Sequence, residues 1–137
     1  MLKAIIAASS LLLLQGTAAL AEEGRTLYLE HCASCHGKNL EGQANWQSTG
    51  DDGLLPAPPH DVSGHTWHHG DGLLVDYILL GGQGALAARG IEFKSGMPAF
   101  AGILAEPDVT AILDYIKSTW PDRARNFQAA RTEAEGG

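Results

Sequence analysis

Residues 32–36 read Cys-Ala-Ser-Cys-His, and these are the only two cysteines in the chain. Two thiols separated by two residues lie about one helical turn apart, a spacing that lets them add across the two vinyl groups of one porphyrin. A histidine directly after the second cysteine is then held under the iron as a proximal ligand. The pattern therefore asks for a short helix ending at His36 and for a fold that wraps a large flat cofactor. Three rivals are weaker. A thioredoxin-like pair needs a βαβ setting, and no β-rich pattern is present. A structural zinc site needs two further ligands at finger spacing, and there is no second cysteine pair. A Cys32–Cys35 disulfide would close a very small loop and stabilise little.

Met1 to Ala21 reads as a secretory signal peptide. Lys3 supplies the positive start, Ala4 to Leu14 the apolar run, and Ala19-Leu20-Ala21 the small-residue cleavage site. That run is too short for a comfortable membrane span, which takes about 20 apolar residues. Cleavage predicts a periplasmic protein with no stable membrane insertion. It leaves 116 of the 137 residues, enough for one small domain. Lys3 is lost with the signal, so 16 acidic side chains face 8 basic ones, a formal charge of −8. Such a balance argues against nucleic acid as a partner. It suits solubility and docking to a partner with a basic patch.

In the remaining chain the apolar periodicity is helical. A first helix is predicted from Glu22 or Glu23 to Cys35, with Leu27, Tyr28 and His31 at helical spacing. Gly24 leaves room for another helix to approach. Glycines at 37, 42, 50 and 53 then break the chain, and Pro56-Ala57-Pro58-Pro59 predicts an extended run. A second helix is expected to start at Asp71 as N-cap, cover Gly72 to Leu80 and stop at Gly81-Gly82. The last helix is expected from about Pro107 to Trp120, with Val109, Ile112, Leu113, Ile116 and Trp120 as its apolar stripe. Residues 122–137 are polar with one aromatic, Phe127, and read as a partly packed extension with a disordered tail.

A haem iron held by His36 has a second axial position. Met97 is the single methionine left after signal removal, and it sits in Gly96-Met97-Pro98 rather than on an apolar helix face. A gap-filling core methionine is the commonest alternative; the Gly/Pro setting favours ligation. An uncharged thioether raises the reduction potential relative to two imidazoles.

Taken together, the Cys-x-x-Cys-His motif after a short helix, the Gly-Met-Pro-Ala-Phe loop and the terminal Asp114-Tyr115-Ile116-Lys117-Ser118-Thr119-Trp120-Pro121 resemble a small class I cytochrome c. The resemblance runs over nearly all of the mature chain, residues 22–121. It implies an all-α fold of three to four helices around one covalent haem c, attached through Cys32 and Cys35 with His36 and Met97 on the iron. It further implies that the first and last helices cross, with Gly24 and Tyr28 meeting Tyr115. A proline carbonyl, from Pro58 or Pro59, would fix the His36 ring. Trp67 lies where some members bind a haem propionate.

His60, His65, His68 and His69 depart from that family pattern. They are open to three readings: polar residues near the propionates, a copper or zinc site with Asp61 or Asp71 in support, or a source of a second haem imidazole in place of Met97. A six-coordinate iron leaves no position for substrate, and the chain shows no catalytic base, phosphate loop or nucleophile constellation. The expectation is an electron carrier working with redox partner proteins, not an enzyme. The alternatives are a metal-handling protein on the same scaffold, a haem subunit of a larger oxidoreductase, and a haem enzyme or gas sensor lacking Met97 on the iron.

Overall fold

The structure, a computed structural model, describes residues 21–136. The signal peptide predicted above lies outside the described residues except for Ala21. Among the described residues there is no strand, and no helix is long and apolar enough to cross a membrane. Helix α1 covers 21–31, and α2 covers Ala33–His36. A single 3-10 turn, Thr66–His68, interrupts the long connection to α3, Asp71–Ala87. Helices α4, Glu106–Ser118, and α5, Asp122–Glu135, complete the chain.

The break between α1 and α2 falls at Cys32, where the sequence predicts one continuous helix. It is small: the Cys32 amide still donates to the Tyr28 carbonyl at 2.9 Å, and the His36 amide to the Cys32 carbonyl at 3.0 Å. The motif therefore stays one rigid turn on the end of α1.

The apolar stripe of α4 forms the core. Val109, Ile112, Leu113, Ile116 and Trp120 are all buried, and they meet the fully buried Tyr28 of α1. Burying each such side chain is worth about 2–3 kcal/mol. The two helices cross where Gly24 lies against the backbone of Ala111. A Cβ on Gly24 would stand 2.0 Å from the Ala111 carbonyl oxygen and 3.2 Å from Tyr115 Cβ. Tyr28 and Tyr115 pack there with ring centroids 5.5 Å apart. Glycine is required at this crossing because no side chain fits between the helices.

Helix α3 differs from expectation at both ends. Its N-cap is Gly70, and Asp71 is the first helical residue. The free amides of its first turn are met from α5 instead: Glu135 accepts from Gly70 at 3.1 Å and Leu73 at 3.3 Å, and Thr132 Oγ1 accepts from Asp71 at 3.0 Å. At the other end Gly81-Gly82 does not stop the helix. Gly81 takes φ 73° and ψ 161°, a conformation essentially restricted to glycine, and helical structure resumes to Ala87. The predicted disordered tail is likewise helical through Glu135 and is tied to residues 69–73. Gln128 donates to the His69 carbonyl at 3.2 Å and to Asp71 Oδ1 at 2.7 Å, and Lys117 pairs with Asp71 at 2.6 Å.

Candidate cofactor site

His36 is 7% exposed at the end of α2, held by three kinds of contact. Its Nδ1 lies 2.8 Å from the Pro58 carbonyl oxygen, which can only accept, so the ring donates there and its Nε2 carries the lone pair. This singles out Pro58 from the two prolines the sequence left open. The close approach depends on Gly42, where a Cβ would stand 2.4 Å from the Pro59 nitrogen and 2.6 Å from the Pro58 carbonyl carbon. The Gly42 amide also donates to the His36 carbonyl at 2.7 Å, closing the loop around the histidine. Tyr28 supplies the third brace, its hydroxyl donating to the Gly37 carbonyl at 2.8 Å.

Cys32 and Cys35 are not bonded to each other; Cys32 is half-buried and Cys35 exposed. Burial, with Cys35 adding to it, pushes the Cys32 thiol up to about 11, so it stays protonated at neutral pH. Burial also lowers the His36 pKa against the opposing effect of the Pro58 bond, which keeps the imidazole neutral and its Nε2 available to a metal. Two free thiols and one neutral imidazole with an open Nε2 suit a covalently attached haem. The partly buried Leu74, Val75, Leu79, Trp67 and Phe100, packed against the core, offer an apolar wall.

Met97 is half-buried and is held by its backbone. The kink at Gly81 frees the helical hydrogen-bond ladder, and the Met97 loop takes it over. The Gly82 amide donates to the Met97 carbonyl at 3.3 Å, while Phe100 and Ala101 donate to the Ile78 and Leu79 carbonyls at 3.0 and 3.1 Å. A Cβ on Gly81 would meet the Met97 oxygen at 2.9 Å and the Ala99 nitrogen at 3.0 Å. The glycine pair that the sequence suggested as a helix stop is thus the seat of the methionine loop.

The histidine cluster splits. His60 stacks on His36, with ring centroids 4.0 Å apart and planes 24° apart. It therefore lies beside the candidate proximal ring, the wrong place for a substitute for Met97. His65 stacks on Trp46 at 5.4 Å and meets His69 edge-on at 5.4 Å. His68 packs against Trp67 and Phe127. Among the described residues no group of three or more His, Cys, Asp or Glu comes together to hold a metal ion. The Trp67 indole donates to the Val62 carbonyl at 3.3 Å, within its own loop. The sequence reading missed the role of Trp120 as a donor: its indole reaches the His60 carbonyl at 2.7 Å. A buried Trp needs a partner for its N–H, and that was the available signal.

The family model described as Cytochrome c matches residues 21–120. Cytochrome c-552 of Thermus thermophilus is 28% identical over 116 residues, which cover 81% of this chain and 69% of that protein. The Cbb3-type cytochrome c oxidase subunit CcoP of Azospirillum brasilense is 40% identical over 72 residues, 52% of this chain. That stretch is 22% of the oxidase subunit, so the chain spans about a fifth of that relative. No solved structure gives a significant match.

Proposed function

Because this chain belongs to the cytochrome c family, and is thus an electron-transfer protein with covalently bound haem c, we propose that it is a periplasmic electron carrier with histidine–methionine ligation. Cys32 and Cys35 form the two thioethers, His36 Nε2 holds the iron from one side and the Met97 sulfur from the other. The observation that carries this reading is the 2.8 Å contact from His36 Nδ1 to the Pro58 carbonyl, which leaves Nε2 as the one nitrogen free to bind. When bound, haem supplies an iron that changes its charge by one electron.

The chain's own contribution is to fix ligands and exclude water. Pro58 sets the tautomer and orientation of His36, and the burial of His36 and Leu40 keeps solvent from its ring. The backbone clamp at Gly81-Gly82 holds Met97 without using its side chain, so the thioether stays free for the iron. Neutral ligands on both sides favour the reduced state relative to two imidazoles. The excess of acidic residues supports docking to a redox partner that presents basic side chains.

Replacing Met97 with Ala tests the ligation. The oxidised wild-type protein is expected to show the weak long-wavelength band that reports iron–methionine bonding, and the variant to lack it while keeping covalent haem. A wild type without the band would refute methionine ligation. A second reading, a haem subunit of a larger oxidoreductase, is favoured by the likeness to an oxidase subunit over 72 residues. Sizing the native protein from periplasmic extract separates the two, since a free carrier elutes as a single small domain.

A further inference from the structure

His60 is braced more heavily than a surface polar residue needs. Its amide donates to the Leu40 carbonyl at 2.8 Å, and its carbonyl accepts the Trp120 indole at 2.7 Å. Its Nδ1 lies 2.7 Å from Thr66 Oγ1, itself 5% exposed. Tyr28 meets it edge-on at 6.4 Å. Three separate segments of the chain therefore fix one imidazole, and its flat face is laid on His36 with centroids 4.0 Å apart. An aliphatic residue would fill the same space with no polar atom to satisfy. Imidazole adds a planar face and a directional tether.

The Pro58 bond alone leaves His36 one freedom. A single hydrogen bond to Nδ1 fixes the edge of the ring but lets the plane pivot about the bond axis. A second flat ring against the face removes that pivot. The same contact keeps water off the face of His36, and water there would help solvate a more highly charged iron.

We propose that His60 is a positioning residue for electron transfer: a flat brace, tethered by Thr66, that sets the rotation of the His36 ring and keeps its face dry, so raising the reduction potential. This rests on the reading of His36 as an axial ligand. It gives the first of the four clustered histidines a role separate from metal binding or surface polarity.

The test uses the haem-loaded protein and the variants His60→Ala, His60→Phe and Thr66→Val. Two quantities are read: the reduction potential by spectroelectrochemistry, and the electron paramagnetic resonance of the oxidised low-spin iron, whose line positions and widths report ligand-plane orientation. His60→Ala is expected to lower the potential and broaden the low-field line. His60→Phe, which restores a flat dry face without the tether, should return the potential to near wild type. Thr66→Val should broaden the line with a smaller shift. If His60→Ala equals wild type in both quantities, or if His60→Phe is lowered as far as His60→Ala, the brace is refuted. Should His60→Ala not accumulate, a Thr66→Val protein identical to wild type in both readouts overturns the proposal. A wild type lacking the low-spin imidazole signal would instead refute His36 ligation, so the two failures are distinct.

Discussion

The two sides of the proposed iron site are built in opposite ways. His36 is fixed through its side chain: a hydrogen bond on one edge, a stacked ring on one face, and a short rigid helix beneath it. Met97 is fixed through its main chain, by a loop that borrows the hydrogen bonds of a kinked helix. A ligand with a ring has an orientation to set, and side-chain contacts set it. A thioether has none of that shape, so positioning the backbone is enough. The difference implies that substitutions at a distance will separate the two ligands. Packing changes around α1 act on histidine, and conformational changes in α3 act on methionine.

The largest expected break in that comparison is Gly24→Ala. Its Cβ would sit 2.0 Å from the Ala111 carbonyl, so α1 must move away from α4 and carry the Cys32–His36 turn with it. Overpacking of this kind costs about 3 kcal/mol. Thermal melting should show that loss, together with poorer haem incorporation. A variant as stable as wild type would mean that the crossing has slack the structure does not have. Gly81→Ala should cost less, about 2 kcal/mol, because alanine cannot adopt φ 73° and ψ 161° without strain. Its effect should fall on one ligand. The methionine band of the oxidised protein is expected to weaken or vanish while the histidine-ligated low-spin signal persists. Loss of both signals together would erase the proposed division between the two sides.

What could be read from the sequence follows the same division. The Cys32–His36 motif, the stripe of α4 and the Met97 loop were legible because each is a local pattern. A covalent attachment needs named residues at a set spacing, and a core helix repeats its apolar side chains every three or four positions. The features misread from sequence are held by long-range polar contacts. Nothing near Asp71 says that its helix is capped by Glu135, 65 residues beyond the Gly70 amide it accepts from. Helix α5 has no apolar stripe and is anchored by Gln128, Thr132 and Glu135, so composition alone read it as a tail. Gly81-Gly82 obeyed the local rule for a helix stop only until the Met97 carbonyl, 15 residues on, took the Gly82 amide. The choice between Pro58 and Pro59 also waited on three dimensions.

The smallest expected effect comes from the segment that joins the two sides. His65 and His69 lie between the Pro58 run and the start of α3, and both pKa values are lowered, first by burial. His68 lowers His65 further. His65, His68 and Arg131 lower His69, with Glu135 opposing. His60 is the other titratable group close to His65. A histidine whose folded-state pKa lies below its unfolded value makes the unfolded chain take up protons that the native chain refuses. Its favourable contribution is therefore complete above an unfolded pKa of about 6.5 and is lost as pH falls through that value towards the folded one. The melting temperature should drop by about a few degrees between roughly pH 6.5 and 5, above the range where most carboxylates titrate. His65→Gln should flatten that slope, since glutamine carries no proton to refuse, and an unchanged slope would remove His65 as a cause. The comparison is sharpened by measuring the methionine band through the same window. The groups that titrate belong to neither ligand's support, so the band should hold while the melting temperature falls. A band that fades in step with the melt would show that the joining segment also governs the Met97 side.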